Sequence, residues 1–464
     1  MPEAALELNP EKASQGDLSS LGEIAINGTF WSVAAYAAGM CLRLFSNIVL
    51  SRMLAPEYFG LMTLLNTTIT GLALFSDIGL TPNIIRSPRG DEPAFLNTAW
   101  TMQVIRGTGL WLICVLISVP FASFYREPQL GILVPIIGLS LIVTSFVSTS
   151  VATLSRRMAV RQLSLMELGI YACQFLATLA WALVDRSVWA LVFGRIFSDI
   201  VRVIVSYRII PGQTNRFHWD RDAAREIFSL GRWVFVSTAF TFLAGQSDRL
   251  ILGRLVSLPT LAMYGMAFAL SDIPRQIIMT FRGFIVMPFV AKLAHLPREE
   301  FFNLVLKYRR TVLLAAALAL AIAVSCGDLA MWRIYDSRYH AATWIVPILA
   351  LGLWHTILYS TTSPCLFVIG NSRNAAIGYG CSGLAILVAT PLAFFRWGLV
   401  GAVWAIAFSD LPAYLVNMYG LRRENMHPLA QDFKLTLVFL ALVASLGAFR
   451  ILIGFPFPEI VSLR

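Results

Sequence analysis

The chain has 464 residues, of which 57% are hydrophobic and only 13% are charged. A soluble globular protein carries roughly 25% charged residues, and the mean hydropathy of this chain is +0.71. These values exclude a disordered chain, a coiled coil and an ordinary soluble enzyme, and they favour a protein that lies mostly in lipid. The formal charge of +10 comes almost entirely from arginines between or inside apolar runs. We therefore expect contact with the anionic membrane surface and no nucleic-acid partner.

The predicted elements begin with an acidic cytoplasmic tail, because residues 1–27 lack the basic start and the short apolar core of a signal peptide. Apolar windows of about 20 residues, the length that crosses roughly 30 Å of hydrocarbon, follow along the chain. They lie near residues 28–52, 60–80, 98–122, 131–154, 163–184, 187–209, 233–254, 259–290, 310–331, 343–369, 374–395, 398–420 and 434–454. The sequence therefore predicts an all-α polytopic membrane protein of about 13 helices.

Basic residues in the loops predict the orientation of these spans. The connections after even-numbered spans carry 19 Lys and Arg residues, and those after odd-numbered spans carry 7. The positive-inside rule then places the N-terminus in the cytoplasm. Thirteen spans would put Arg464 on the opposite side, whereas a half-buried C-terminal hairpin would return it to the cytoplasm. No connection has room for the large catalytic loop that a membrane glycosyltransferase or polymerase usually needs, which argues against an enzyme.

Two echoes, that is, pairs of similar segments in the two halves of the sequence, indicate an internal repeat. Residues 48–60 (IVLSRMLAPEYFG) and 250–265 (LILGRLVSLPTLAMYG) share one order: an apolar helix end, an arginine, a turn with proline, a tyrosine and a glycine. Phe-Ser-Asp occurs at residues 197–199 and again at 408–410. The first echo relates span 1 to span 7, and the second relates span 6 to span 12. Two six-helix lobes with parallel topology explain both echoes, with chance similarity between apolar helices as the alternative.

The repeat predicts the domain organisation, with the substrate bound between the lobes near the membrane midplane. The predicted segments are an acidic tail (1–27), an N-terminal lobe (28–210), a basic cytoplasmic linker (211–232), a C-terminal lobe (233–421) and an additional C-terminal span (422–464).

Unmatched arginines within the spans are the first candidate site residues. An ionisable side chain at mid-helix costs roughly 2.5–3.5 kcal/mol on insertion scales, so it normally faces a partner or a cavity. Arg43, Arg106 and Arg282 have no acidic residue within one turn of their own helices. Because the planar arginine fork suits phosphate, these side chains are candidates to bind a diphosphate headgroup. Structural pairing across helices is the alternative.

Aspartates in the seventh and eighth spans are the second group of candidates. Asp248 and Asp272 could carry a coupling proton or cation, or they could simply balance Arg249 and Arg275. No Walker A loop and no His/Cys ligand spacing occurs in the chain. We therefore predict no catalytic residue, no cofactor and no metal site.

An aspartate in predicted span 6 is expected to have a structural role. Asp199 lies at helical spacing from Arg195 and Arg202, so it can form ion pairs that neutralise span 6 from within. His355 in span 10 is interpreted as a buried, hydrogen-bonded histidine, with a proton relay as the less favoured alternative.

Three motifs remain to be explained: residues 50–60 (LSRMLAPEYFG), 77–86 (DIGLTPNIIR) and 246–254 (QSDRLILGR) with Tyr264-Gly265. They resemble the bacterial polysaccharide transporter family, which contains the Wzx-type oligosaccharide flippases of the multidrug/oligosaccharidyl-lipid/polysaccharide superfamily. The resemblance implies two six-helix lobes in a V around a central cavity, plus one C-terminal span. It also implies translocation of an undecaprenyl-diphosphate-linked oligosaccharide across the bacterial inner membrane, for exopolysaccharide or lipopolysaccharide biosynthesis.

The predicted mechanism combines the resemblance with the membrane charges. Arg43, Arg106, Arg249, Arg275 and Arg282 are predicted to bind the diphosphate in the cavity, while the polyprenyl tail stays among the membrane lipids. A polysaccharide polymerase and a chain-length regulator are possible partners. The alternatives are a lipid II flippase, a small-molecule or cation antiporter of the same fold, and a membrane glycosyltransferase or polymerase.

Overall fold

The computed structural model describes residues 34–459, apart from residues 36, 158, 211–213, 294 and 372. The predicted acidic tail, the beginning of the first predicted span and residues 460–464 lie outside the described residues. The helices are α1 (residues 37–53), α2 (Pro56–Phe75), α3 (Leu80–Arg86), α4 (Pro93–Tyr125), α5 (Leu130–Ser145), α6 (Ser150–Arg156), α7 (Val160–Val184), α8 (Val188–Arg208), α9 (Arg221–Leu255), α10 (Leu258–Ser271), α11 (Ile273–Phe281), α12 (Met287–Leu293), α13 (Arg298–Ile334), α14 (Ile345–Ser360), α15 (Ser363–Val368), α16 (Arg373–Ala407), α17 (Leu411–Arg423) and α18 (Leu429–Leu452).

Each predicted span falls on helical residues, and the described residues contain no strand. Seven helical segments are long and apolar enough to cross a membrane, or nine when each of two bent pairs counts as one span, among the residues described. Three further predicted spans correspond to α1, to the charged helix α8 and to the broken run α10–α12. One long apolar segment, Ala376–Arg423, contains two predicted spans.

Breaks in the helices divide several spans. Gly398 has a φ of +64° and a ψ of −154°, so the backbone leaves the helical conformation inside α16 between predicted spans 11 and 12. Glycine adopts this conformation without the steric cost that a side chain imposes. A π-helical turn, Arg282–Val286, separates α11 from α12. Such turns occur often at functional sites and change the direction in which side chains point.

Helix α2 packs at the contact between the N-terminal half (α1–α8) and the C-terminal half (α9–α17). It packs along both α9 and α10. A Cβ added at Gly60 would collide with the backbone of Leu258, and one at Gly71 would collide with the ring of Phe242. Close approach of this kind requires small residues where helices cross in a membrane.

Helix α18 is fastened to α13 by two buried ion pairs. Arg309 on α13 lies 2.6 Å from Asp432, and Arg450 on α18 lies 2.6 Å from Asp328. The two anchor positions on α13 are roughly 28 Å apart at 1.5 Å per residue. Helix α18 therefore crosses the same thickness as α13, which favours a full span over a half-buried hairpin.

The connection to α9 is docked against the N-terminal half. The backbone N–H groups of Arg216, His218 and Asp220 each donate, over 3.0 Å, to side chains near the start of α4. Helix α9 begins at Arg221, inside the predicted linker 211–232, and its apolar part Val234–Leu255 matches predicted span 7. This early start follows from two features: the Asp220 side chain caps the helix, and Ala223, Ala224 and Ile227 on its first turns are buried.

The ion pair at this connection predicts a pH-dependent stability. Arg89 lies 2.8 Å from Asp220 and holds the pKa of that carboxyl below its ordinary value. The resulting stabilisation is complete above about pH 4, the ordinary range of aspartate, and is lost as pH falls through the lower folded-state pKa. We expect Asp220→Asn to lower the Tm by about 1–2 °C at pH 7, with the difference disappearing in acid.

Thermal unfolding in detergent at several pH values measures this effect. Asp222→Asn is the control, since Asp222 is largely exposed and its side chain lies 3.5 Å from Arg225. An Asp220→Asn difference that grows in acid would contradict the assigned ion pair.

Candidate functional site: a cavity between the two halves

A cavity with a volume of about 510 Å³ lies between the two halves. Helices α1, α2, α7 and α8 line it from the N-terminal half, and α9 and α10 line it from the C-terminal half. Its polar lining consists of Arg43, Ser46, Asn47, Thr63, Asn66, Thr67, Thr70, Tyr171, Gln174, Thr178, Arg195, Gln246 and Arg249. The cavity has room for a polar headgroup and is lined by hydroxyl, amide and guanidinium groups.

Three arginines give this cavity a positive lining. The guanidinium of Arg43 lies 5.3 Å from the centre of the Tyr171 ring, and that of Arg249 lies 4.8 Å from the centre of the Phe268 ring. Arg249 also donates a hydrogen bond to the Gln246 amide oxygen. No carboxylate lines the cavity, and among the described residues none forms an ion pair with Arg43 or Arg249. Both side chains therefore retain donors for an anionic ligand.

Arg195 is the cavity residue that sequence reasoning treated only as structural. Its Nε lies 3.1 Å from Asp199, so the local ion pair exists, but the side chain also lines the cavity. Asp199 is buried and accepts a hydrogen bond from the Ser140 hydroxyl. Arg202 pairs instead with Glu167 on α7, through bonds of 2.5 and 2.8 Å. The i, i+4 spacing reveals the pair but not the face of α8 that meets the cavity.

The other predicted arginines lie elsewhere. Arg106 donates to the Ser76 hydroxyl and to the carbonyl of Ala73, at the end of α2. Arg275 forms an ion pair of 2.5 Å with Asp272. Arg282 begins the π-helical turn and lines a separate small crevice with Tyr359, Tyr379, Asn374 and Asn417, among other residues. The structure thus brings Arg43 and Arg249 together in the central cavity, but not the other three predicted arginines.

The predicted coupling aspartates lie together in the C-terminal half. Asp248 and Asp272 line a second, smaller cavity of about 60 Å³, together with Arg275 and Asp410. Asp248 accepts a hydrogen bond of 2.5 Å from Tyr264, while its other oxygen has no partner among the described residues. Although Asp248 and Arg249 are adjacent in sequence, they line different cavities.

The repeated Phe-Ser-Asp motifs have matching surroundings. Asp199 on α8 accepts from Ser140 on α5, and Asp410 accepts from Thr356 on α14 over 2.9 Å. These donors belong to predicted spans 4 and 10, which are six spans apart, as are the aspartates. The hydroxyl–carboxylate pairs therefore follow the same relation as the sequence echo.

Comparisons with known proteins agree with this architecture. A family model described as "Polysaccharide biosynthesis protein" matches residues 49–343. The succinoglycan biosynthesis transport protein ExoT of Rhizobium meliloti (strain 1021) is 22% identical over 402 residues, which cover 83% of this chain and 74% of that protein. The teichuronic acid biosynthesis protein TuaB of Bacillus subtilis (strain 168) is 21% identical over 332 residues, covering 70% and 67% respectively.

A solved structure shares the fold. The lipid II flippase MurJ in an inward-closed conformation superposes with a TM-score of 0.73 at 13% sequence identity, covering 92% of this chain and 93% of that one. This likeness confirms the predicted all-α polytopic membrane fold.

Proposed function

Because this chain belongs to the polysaccharide biosynthesis protein family, we propose that it is a flippase that translocates an undecaprenyl-diphosphate-linked oligosaccharide by alternating access. The family predicted from the hairpin motifs is confirmed, and at the coarser level the chain is a multi-pass membrane transporter of polysaccharide precursors. The proposed setting is the bacterial inner membrane with the N-terminus in the cytoplasm. The proposed product feeds exopolysaccharide or lipopolysaccharide biosynthesis.

One observation supports the proposed substrate: among the described residues, three arginines and no carboxylate line the cavity between the halves. A diphosphate diester carries two negative charges, and Arg43 and Arg249 are the two cavity arginines without an acidic partner among the described residues. Guanidinium groups bind phosphate oxygens through paired, charge-assisted hydrogen bonds. The hydroxyl and amide side chains of the lining supply partners for the sugars.

Reconstitution tests the proposal directly. Purified protein is placed in liposomes with an undecaprenyl-diphosphate oligosaccharide whose glycan carries a dye, and a membrane-impermeant reductant then bleaches the outer leaflet. A functional flippase lets the reductant bleach nearly all of the dye, whereas protein-free liposomes protect the inner half. A phospholipid with the same dye is the control cargo. Protection equal to that of protein-free liposomes would refute the proposal, and elongation of the glycan by an added sugar nucleotide would indicate a glycosyltransferase.

The proposal includes proton coupling through the second cavity. Asp248 and Asp272 are both buried, and Asp410 and Arg275 line the same small space. Buried carboxylates in a membrane are costly when charged and unpaired, so protonation and substrate state can be linked there. Asp248 is the favoured proton carrier, since one of its oxygens lacks a partner among the described residues while Asp272 is paired with Arg275.

This role predicts the behaviour of Asp248→Asn. The amide keeps the size of the carboxyl but cannot exchange a proton, so we expect translocation to lose its acceleration by an imposed pH gradient. Translocation without a gradient should change much less. Liposomes with and without a gradient measure the ratio, and Asp185→Asn, in an exposed loop, is the control. An undiminished response to the gradient in Asp248→Asn would exclude Asp248 as the carrier.

A further inference from the structure

The repeated hairpin arginines, Arg52 and Arg254, have no part in the cavity described above. Each follows an apolar helix end, in α1 and in α9, and each contacts the opposite half of the protein. The Arg52 guanidinium donates to the carbonyl of Ile334 at the end of α13, over 3.3 Å. The Arg254 guanidinium lies 5.6 Å from the centre of the Phe124 ring near the end of α4.

These two contacts are reciprocal in the internal repeat. Helix α4 is the third predicted span, and α13 is the ninth. The arginine of span 1 therefore contacts the end of span 9, and the arginine of span 7 contacts the end of span 3. A chance pair of surface contacts has no reason to follow this exchange.

Each contact is accompanied by further bonds close to it. The Tyr125 hydroxyl, next to Phe124, donates to the carbonyl of Leu250 on α9 over 3.2 Å. Arg338, just beyond α13, donates to the carbonyls of Ser51 and Leu54 at the end of α1, over 2.8 and 3.2 Å. These carbonyls lie at the negative end of the α1 dipole, which favours a cation. Asp336 holds the Arg338 guanidinium in place over 2.8 Å.

We propose that these contacts form a two-armed latch that closes the cavity on the side of the α1–α2 and α9–α10 turns. The cavity is lined from both halves, so an opening on this side has to part α1 from α13 and α4 from α9. Arg52 is exposed and Arg338 is partly exposed, so water can replace each bond when the halves separate. The latch assigns a role to the repeated arginine that concerns access to the cavity and not the identity of the cargo.

Thiol labelling measures the latch independently of transport. The parent protein carries Thr63→Cys in the cavity wall, with Cys41, Cys173, Cys326 and Cys381 replaced by serine. Cys114 and Cys365 are kept because both are fully buried and report on folding. A membrane-impermeant maleimide is added to spheroplasts and, separately, to inverted vesicles, so that each side of the membrane is tested alone.

Loss of the latch should admit the reagent from the turn side. We expect Arg338→Ala, and the double variant Arg52→Ala with Arg254→Ala, to raise labelling of Thr63→Cys from that side by about fivefold to tenfold. Labelling from the other side should not rise. Arg333→Ala is the matched control, because Arg333 is exposed at the same end of α13, adjacent to Ile334.

Failure of the latch and failure of the proposed cargo give different results. Unchanged labelling from both sides in the latch variants, with Cys114 and Cys365 protected, would overturn the latch and leave the proposed cargo untouched. If an alanine variant exposes those two cysteines, Arg338→Met takes its place, since methionine keeps the apolar stem and removes only the donors. Unchanged labelling in that variant would equally overturn the latch.

Discussion

Replacing Arg43 or Arg249 by alanine is expected to reduce glycan translocation by about tenfold to a hundredfold for each variant. Hydrogen bonds to charged groups are worth about 1.5–3 kcal/mol, and each 1.4 kcal/mol changes a rate about tenfold. The double variant should lose more, because two diphosphate charges would then lack their partners. The dye-reduction assay in liposomes gives the rates, and the amount of folded protein is compared by size-exclusion chromatography.

Matched variants separate charge from geometry. Arg43→Lys and Arg249→Lys keep the charge but lose the planar fork, so their rates should fall between those of the wild type and the alanine variants. Arg186→Ala is the control, since Arg186 is exposed in a loop outside the cavity. Wild-type rates for both alanine variants would show that Arg43 and Arg249 do not bind the diphosphate, while leaving the family assignment intact.

Arg282→Ala distinguishes the central cavity from the crevice at the π-helical turn. Binding by Arg282 remains a prediction from the sequence; its guanidinium contacts the Met279 sulfur at 3.8 Å and lies in the crevice that Tyr359 also lines. If Arg43 and Arg249 alone bind the diphosphate, Arg282→Ala should retain most of the glycan translocation that Arg43→Ala loses.

The sequence predicts this fold well because a membrane leaves few alternatives. Backbone groups in hydrocarbon must bond within the segment, so long apolar runs become helices whatever their neighbours. The repeated turns at Arg52 and Arg254 further indicate which helices correspond. Predicted span 7, residues 233–254, agrees with the apolar part of α9, Val234–Leu255. The helical segment Arg221–Ser229 was assigned to the linker, because its polar composition reveals neither the Asp220 cap nor its burial against the N-terminal half.

The site was harder to predict, because the sequence indicates that a charged residue lies within a membrane span but not which way its side chain points. Arg43 has no acidic residue near in sequence and lies in the cavity wall, while its binding role stays a prediction. Arg106 has the same signature, yet its partners are a hydroxyl and a carbonyl on α2, which no spacing rule reveals. Arg282 lies at the start of a π-helical turn that the local sequence does not predict, and it lines a separate crevice. Arg195 was assigned to a pair that exists, but a paired arginine can still offer its remaining donors to a ligand.

The ion pair between α13 and α18 is expected to give the largest stability effect. Arg450 makes two bonds of 2.6 Å to Asp328, and both side chains are only 4% exposed. Arg450→Ala leaves the carboxylate buried without its partner, and breaking a buried pair in this way costs about 3–5 kcal/mol. We therefore expect a large loss of stability, measured as the free energy of unfolding in detergent micelles.

A double variant tests whether the loss comes from the unpaired charge. Asp328→Leu combined with Arg450→Met replaces the pair by apolar side chains, which is often close to neutral for a buried pair. Recovery should be only partial here, because Arg450 also donates to the carbonyls of Ser325, Phe455 and Pro456. Arg225→Ala, which breaks an exposed pair with Asp222, should change stability little. If Arg450→Ala behaved like Arg225→Ala, α18 would be held by its apolar contacts with α13 rather than by this ion pair.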